Sequence, residues 1–113
     1  MSNRSKLVKR FYEAFSKVDR NEFVENLLAS NFTFSAPPDP FLNRNEFFEK
    51  CWPNGGGLKD IRYTRVIEHG DEVIVTHEFV KPDDVKACNT DIITFVGDKI
   101  TRLEVYFGWD INN

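Results

Sequence analysis

The sequence NTDIITFVGDKITRLEVYFGWD, from Asn89 to Asp110, decides the fold expected of this chain. Two runs rich in β-branched and aromatic residues lie on either side of the dipeptide Gly97-Asp98, which is typical of a tight turn. We therefore predict a long β-hairpin at the centre of an antiparallel sheet. Asp91 lies within the first run, and a carboxylate buried among apolar side chains requires a hydrogen-bonding or chemical reason.

The composition is that of one globular domain spanning residues 1–113. Of the 113 residues, 41% are hydrophobic and 14% are aromatic, which is enough to bury one core. Phenylalanine is unusually abundant, with eleven residues. Rigid rings suit a pocket for apolar, often ring-shaped ligands, but they also bury area efficiently in a small core. Composition alone leaves both explanations open.

Charge and cysteine content argue against several classes of function. The net charge is -3, whereas nucleic-acid binding requires clustered Lys and Arg, so we expect no nucleic-acid partner. No segment has the apolar run of a signal peptide or a membrane span, so we expect a cytoplasmic protein with no membrane association. Cys51 and Cys88 lie far apart and histidines are few. We therefore expect reduced thiols, no metal site and no cofactor.

Apolar residues at helical spacing predict a first helix from about Ser5 to Val18, with an aromatic stripe on its inner face. Asp19 followed by Glu22 resembles a capping box, so a second helix is expected to begin there and to end near Ser30.

The next part of the chain predicts a short strand, a loop and a third helix. Residues 32–34 alternate as a strand does, and the prolines of residues 36–40 favour a stiff, exposed loop. Asn43 with Glu46 offers a second capping box, and residues 53–57, a proline followed closely by three glycines, should break the third helix and act as a flexible linker.

From Leu58 onward the hydrophobic period changes from helical to two, which predicts strands. Four are expected: Ile61–Glu68, Glu72–Lys81, Val85–Val96 and Lys99–Phe107. Helices followed by an antiparallel meander indicate an α+β fold in which the helices cover one face of a curved sheet.

Three strings of the sequence resemble the NTF2-like superfamily, in particular its SnoaL-like and ketosteroid-isomerase-like members. They are Val8-Lys-Arg-Phe-Tyr-Glu-Ala-Phe15, Phe32-Thr-Phe-Ser-Ala-Pro37, and Asp91-Ile-Ile-Thr-Phe95 continuing through Lys99-Ile100 to Tyr106-Phe-Gly108. The resemblance spans nearly the whole chain. It implies a cone-shaped, cystatin-like α+β fold, with three N-terminal helices on a curved antiparallel sheet. That cone serves isomerases, cyclases, dehydratases, hydrolases and plain binding modules, so the resemblance is weak for activity.

The resemblance also implies roles for individual positions. The strand acid that helps to hold the oxyanion in ketosteroid isomerases matches Asp91. Ala36 stands where those enzymes have their general base, and Phe11 stands where they have the phenol that shares the oxyanion. Asp39 and Tyr12 are close enough in sequence to raise the question of substitutes.

The residues themselves place a histidine near Asp91. If the loop after the second long strand is centred on Asp84, His77 lies opposite Asp91 and Phe79 lies opposite Asn89, all on one sheet face. Such a pair can act as a general acid and base, or a protonated Asp91 can donate to a developing enolate. Alternatively, the two side chains simply satisfy each other's hydrogen bonds.

The register of the last hairpin decides what surrounds this pair. A two-residue turn brings a polar set beside Asp91, namely Arg102, Glu104 and Tyr106. A three-residue loop with a bulge brings an apolar set instead, namely Leu103, Val105 and Phe107. We prefer the apolar set because it buries more surface and agrees with the family resemblance. The preceding turn leaves Tyr63 and Thr64 in competition for the place beside His77.

The opposite sheet face is mixed in character, with Thr90, Ile92, Thr94, Glu104 and Tyr106. We expect a homodimer through this outer face, as in many proteins of the resembled superfamily. The alternative is a solvated sheet face with scattered apolar residues.

Two functional hypotheses follow. In the first, the domain is a cofactor-independent binder of a small hydrophobic molecule, with isomerase, cyclase or dehydratase chemistry as an extension. Asp91 and His77 form its polar centre, Asn89 and Asp39 add polar contacts, and the walls are Phe11, Phe15, Phe34, Trp52, Phe79, Phe107 and Trp109. In the second, the domain is a non-catalytic interaction module whose cone is filled by its own side chains. A cavity that reaches Asp91 and His77 favours the first hypothesis.

Overall fold

Three helical segments and six strands make up the part of the chain that the computed structural model describes, residues 3–37 and 39–110 without the side chains of residues 39, 40, 109 and 110. The elements are α1 (Asn3–Ser16), α2 (Glu22–Leu27), β1 (Leu28–Ala36), β2 (Asp39–Asn43), the composite helix α3 (Arg44–Glu46, Phe47–Cys51 and Trp52–Gly55), β3 (Lys59–His69), β4 (Glu72–Val80), β5 (Lys86–Val96) and β6 (Lys99–Asp110). The α+β class predicted from the sequence is confirmed. Only two helices precede the first strand, however, because the third follows β2.

Helix α1 carries its apolar stripe toward the sheet, as predicted, but ends at Ser16 rather than at Val18. Val18 has a positive φ of 51°, a left-handed conformation that cannot continue a helix. The end of α1 lies directly against α3, since a Cβ added to Gly55 would come within 2.0 Å of the carbonyl oxygen of Phe15. Gly55 therefore permits a close packing contact and is not merely part of a flexible linker.

Helix α2 begins and ends at residues other than those predicted. Asn21, not Asp19 with Glu22, caps it, and the Asn21 side chain accepts a hydrogen bond from the backbone three residues later at 3.0 Å. The helix does not reach Ser30 because Leu28 is already extended and begins β1. Strand β1 is therefore longer than the three-residue strand predicted from local alternation.

The six strands form one sheet in the order β2-β1-β6-β5-β4-β3. The antiparallel meander predicted for the second half of the chain, β3 to β6, is confirmed. Strands β1 and β2 are also antiparallel, whereas β1 and β6 are parallel, a pairing that was not predicted. Strand β2 lies where an exposed loop was expected. It tolerates Pro40 because it is at the sheet edge, where a missing N–H breaks no inner ladder. The predicted capping box of Asn43 and Glu46 is confirmed at the start of α3.

The hairpin of β4 and β5 differs from the predicted register by two residues. His77 lies opposite Asn89 rather than opposite Asp91. The turn is centred one residue earlier than expected, since Lys81 donates its backbone N–H to the carbonyl of Val85 at 2.9 Å. Because side chains alternate with a period of two, a shift of two leaves each side chain on its predicted face. His77 is consequently a diagonal neighbour of Asp91.

The hairpin of β5 and β6 places the apolar set on the inner face, as predicted from the sequence. It does so with a two-residue turn and a bulge within β6, rather than with the three-residue loop that was expected. The turn at residues 97–98 has two residues, but Thr101 has no residue opposite it in the β5 ladder because the register shifts there. This bulge changes which residues face inward, so that Val105 lies opposite Asp91.

The helices and the inner sheet face enclose an aromatic core. Its largest fully buried rings are Phe11, Phe32, Phe47 and Phe95. Each contributes about 1.5–3 kcal/mol of hydrophobic burial to folding. In the described part of the chain, no helix is long and apolar enough to cross a membrane.

Candidate functional site

A cavity of about 210 Å³ lies between the helices and the inner sheet face. Eight of the residues predicted to form the site line it: Phe11, Phe15, Phe34, His77, Phe79, Asn89, Asp91 and Phe107. Leu103 and Val105, which belong to the apolar set preferred beside Asp91, also line it, as do Ala36 and Tyr12, which the family resemblance brought into question. The lining residues that the sequence did not single out are Phe47, Cys51, Asn54, Leu58 and Ile61. The cone is therefore not plugged by its own aromatic side chains.

Trp52 was expected in the wall and is instead behind it. Its side chain is buried and does not line the cavity. Its ring centroid lies 5.7 Å from that of Phe11 and 5.3 Å from that of Phe15, so it supports two rings that do line the cavity. The side chains of Asp39 and Trp109, the two remaining predicted contacts, lie outside the described residues.

Three buried side chains form the polar end of the cavity, and two of them contact the same carboxylate oxygen of the third. The Tyr12 hydroxyl donates a hydrogen bond to Oδ2 of Asp91. Nε2 of His77 lies 3.1 Å from the same oxygen. All three residues are almost fully buried, with exposures of 5% for Tyr12, 6% for His77 and 3% for Asp91. We refer to Tyr12, His77 and Asp91 as the polar triad.

The fold positions each member of the triad from a different element. β4 and β5 bring His77 and Asp91 together across the ladder, and α1 crosses this face so that the Tyr12 ring centroid lies 4.8 Å from that of His77. Tyr63 on β3 is paired with His77, which settles the competition between Tyr63 and Thr64. The Tyr63 ring centroid lies 6.0 Å from that of Tyr12 and completes an aromatic surround.

Proton positions in the triad follow from its geometry. A carboxylate oxygen only accepts hydrogen bonds, so with Asp91 ionised both Tyr12 and His77 must donate to Oδ2. A neutral His77 in this arrangement carries its proton on Nε2 and has a lone pair on Nδ1. Burial, followed by the negative charge of Asp91, raises the pKa of Tyr12 well above its usual value, so its phenol stays protonated as a donor.

Two polar atoms of the triad have no hydrogen-bond partner among the described residues, Oδ1 of Asp91 and Nδ1 of His77. A buried polar atom left without a partner costs roughly 1–3 kcal/mol. Native proteins retain few such atoms, and a role in chemistry or binding is one explanation for them. Nε1 of Trp52, behind the cavity, is a third such atom among the described residues. The two atoms of the triad belong to residues that line the cavity.

The first helix supplies a phenol one residue away from the position that the family resemblance indicated. Phe11 packs on Trp52, while the hydroxyl of Tyr12 reaches Asp91. Each residue turns a helix by about 100°, so the docking angle of α1 decides which of two adjacent aromatic residues meets the strand acid. Ala36 lines the cavity and offers no acid or base, so the position of the family's general base is apolar.

The remaining lining is uncharged. Within the described chain, the cavity lining includes no lysine or arginine. No cluster of His, Cys, Asp and Glu suited to a metal ion occurs among the residues described. The site can therefore surround an apolar body and meet one polar group at the triad.

Solved structures with the same fold share little sequence with this chain. An NTF2-like protein of unknown function from Cytophaga hutchinsonii is 18% identical with a TM-score of 0.76, covering 96% of this chain and 92% of its own. A candidate ketosteroid isomerase from Kribbella flavida is 13% identical with a TM-score of 0.76, covering 97% and 81%. AclR, a candidate hydroxylase from Streptomyces galilaeus, is 13% identical with a TM-score of 0.71, covering 96% and 90%. At these identities the likeness shows the fold alone.

No curated protein matches the sequence significantly. The family model of the SnoaL-like domain matches residues 8–103, which include most of α1, most of the sheet and all three members of the polar triad. With the cone-shaped α+β architecture described above, this match shows that the chain belongs to the SnoaL-like domain family and has the NTF2-like fold.

Proposed function

We propose that this domain binds a small, largely apolar molecule in its cavity and holds one oxygen atom of that molecule at the polar triad. The observation that carries the proposal is an open cavity whose lining combines phenylalanine rings with Asp91 and His77. An interaction module with a filled cone would have no such space. The unpartnered atoms Oδ1 of Asp91 and Nδ1 of His77 supply hydrogen-bonding capacity for a ligand.

A panel of hydroxy and oxo compounds with one to four rings tests the binding function, using the rise in melting temperature that a ligand causes when it binds only the folded state. At a ligand concentration 100 times Kd, the stabilisation is about 2.7 kcal/mol. We expect at least one member of the panel to stabilise the protein. Asp91→Asn should weaken that binding about 10-fold to 100-fold, and should leave binding of the corresponding hydrocarbon unchanged. A panel in which no compound binds would contradict the proposal.

Proton transfer without a cofactor is the second function that we propose. Oδ1 of Asp91 and Nδ1 of His77 are the unpartnered atoms of one hydrogen-bonded pair. With the proton arrangement described above, Nδ1 of His77 can take a proton from one position of the substrate and return it to another, so the pair ends the reaction in its starting state, which suits isomerisation, cyclisation or dehydration. With Ala36 at the position of the family's base, the pair itself would have to perform both transfers.

Deuterium exchange tests the proton transfer. A ketone from the binding panel is incubated in D₂O with the protein, and loss of the proton beside the carbonyl is followed by NMR. We expect exchange above the buffer rate for the native chain and a loss of about 100-fold or more in Asp91→Asn and in His77→Gln. Exchange at the buffer rate, with ligand binding intact, would restrict the domain to binding.

We also propose that two copies of the domain pair through the outer sheet face. Ile67, Ile74 and Ile92 lie side by side on neighbouring strands of that face, and Tyr106 is 51% exposed beside them. An exposed apolar row of this kind suits a self-complementary contact. Light scattering after size-exclusion chromatography should report a dimer, and Ile92→Glu should yield a folded monomer. A native chain that is monomeric at high concentration would refute the pairing.

A further inference from the structure

We propose that the cavity selects an uncharged single-ring compound with one oxygen substituent and excludes four-ring ligands of steroid size. This inference rests on the proposed binding function. It names the class of ligand by size and charge, and both properties follow from the lining.

Size is set by the volume of the cavity. Drug-sized ligands occupy pockets of about 300–1,000 Å³, and a cavity of about 150 Å³ accommodates benzene. The cavity of this chain measures about 210 Å³. Scaling from the benzene cavity gives room for roughly eight or nine non-hydrogen atoms. One substituted ring fits within this limit, whereas a fused four-ring skeleton exceeds it.

The walls cannot easily move apart to admit a larger skeleton. Phe34 lines the cavity and packs on Phe47 with ring centroids 5.1 Å apart, and Phe47 is itself only 1% exposed. On another side, Phe11 is backed by the buried ring of Trp52. Displacing rings in a packed core by even a methylene group typically costs about 1–3 kcal/mol. Core packing therefore fixes these two walls and limits the width of the cavity in the folded state.

Charge is excluded by what the lining contains. The described lining has no lysine or arginine, and its one histidine, His77, is already engaged with Asp91. A carboxylate or phosphate on the ligand would lose its hydration without gaining a counter-ion and would face the Asp91 carboxylate. A neutral hydroxyl can donate to an unpartnered acceptor of the triad, and its ring then contacts the phenylalanine walls.

The closing experiment is calorimetry with three probes that differ in one property each. 4-Ethylphenol has one ring and a hydroxyl, estradiol presents a similar phenol on four rings, and benzoate has one ring and the same number of non-hydrogen atoms as 4-ethylphenol but carries an anion. We expect 4-ethylphenol to bind at least ten times more tightly than either of the others. Equal or tighter binding of estradiol would overturn the size limit while leaving the binding function in place. Equal binding of benzoate would overturn the exclusion of charge, and failure of all three would count against the binding function as well.

Two substitutions in the lining test whether volume is the cause. Ala36→Leu adds atoms inside the cavity and should abolish 4-ethylphenol binding without lowering the melting temperature. Phe34→Ala enlarges the cavity and should shift the preference toward 2-naphthol, a two-ring phenol. If Phe34→Ala does not fold, Phe34→Leu gives a smaller enlargement with the same expected direction. An unchanged preference in the enlarged protein, or unchanged binding in Ala36→Leu, would overturn the size limit.

Discussion

The inner and outer faces of β4, β5 and β6 are built from the same strands, yet they treat polar side chains differently. On the outer face, the hydroxyls of Thr76 and Thr90 share a hydrogen bond of 2.9 Å, and Glu104 accepts one from Tyr106 at 3.0 Å. On the inner face, the polar triad leaves two atoms without a partner among the described residues. One face satisfies its polar groups internally, whereas the other keeps hydrogen-bonding capacity inside an apolar enclosure, which is what a binding site requires.

Adjacent isoleucines on the two faces should give the largest contrast in stability. Ile93 is 0% exposed on the inner face, whereas Ile92 is half-buried on the outer face. Ile93→Ala should lower the free energy of unfolding by about 2–5 kcal/mol because it leaves a cavity in the core. Ile92→Ala should lower it by less than about 1.5 kcal/mol. Urea denaturation at low protein concentration measures both, and equal losses would contradict the assignment of the two faces.

At alkaline pH, the buried Tyr12 should affect the stability of the fold more than the exposed Tyr106 does. The folded-state pKa of Tyr12 is raised, chiefly by burial, so its contribution to stability is fully present below the unfolded-state pKa near 10 and is lost as pH rises toward the folded-state value. Each pH unit above about 10 should lower the free energy of unfolding by up to about 1.4 kcal/mol for this tyrosine. Tyr12→Phe should reduce the dependence of that free energy on pH, and Tyr106→Phe should reduce it less.

Burial also raises the pKa of Tyr63, to about 12, so the absorbance of ionised tyrosine should appear only at a pH well above 10. A full ionisation near pH 10 in the folded protein would contradict the burial of Tyr12 and Tyr63.

At neutral pH, the Tyr12 hydroxyl should contribute more than the Tyr106 hydroxyl. Tyr12→Phe removes a buried donor to Asp91 and should lower the free energy of unfolding by about 1–2 kcal/mol. Tyr106→Phe, on a side chain that is 51% exposed, should lie within about 0.5 kcal/mol of the native chain. Thermal and urea unfolding of the two variants provide the comparison. A larger loss for Tyr106→Phe would indicate that the outer face is the more tightly organised of the two.

The smallest effect is expected for the threonine pair of the outer face. Thr76→Val and Thr90→Val, alone and combined, form a double-mutant cycle on the 2.9 Å hydrogen bond. The coupling free energy should be about 0.2–1 kcal/mol, as is usual for a cross-strand pair. A coupling well above this range would show that the outer face also depends on a buried polar network.

Local sequence patterns predicted most of the elements, and non-local pairing accounts for what they missed. The period of two in the second half of the chain predicted β3 to β6 because each strand pairs with the next across a short turn. The edge strand β2 and the parallel pairing of β1 with β6 depend on contacts between distant parts of the chain. Leu28 is strand rather than helix for the same reason, since it is paired with Ile100.

The sequence was enough to predict which residues of the site share a sheet face, but not which atoms of those residues make contact. His77 and Asp91 were placed on one face even with the wrong register, because an even shift preserves the alternation of side chains. The choice between Phe11 and Tyr12 was beyond the sequence, since it depends on how α1 is rotated about its axis when it packs. The unpartnered atoms Oδ1 of Asp91 and Nδ1 of His77 are likewise visible only once the chain is folded.

Thr101, the bulged residue of β6, determines which of the following side chains on that strand face the cavity. Without that one extra residue, odd-numbered and even-numbered positions beyond it would exchange sides, so that Glu104 and Tyr106 would point into the cone and Val105 and Phe107 away from it. Deletion of Thr101 alone would therefore exchange the inward-facing and outward-facing side chains of β6 beyond it, although none of those residues would change in sequence. The chemical character of this site is encoded in the count of residues along β6 as much as in their identities.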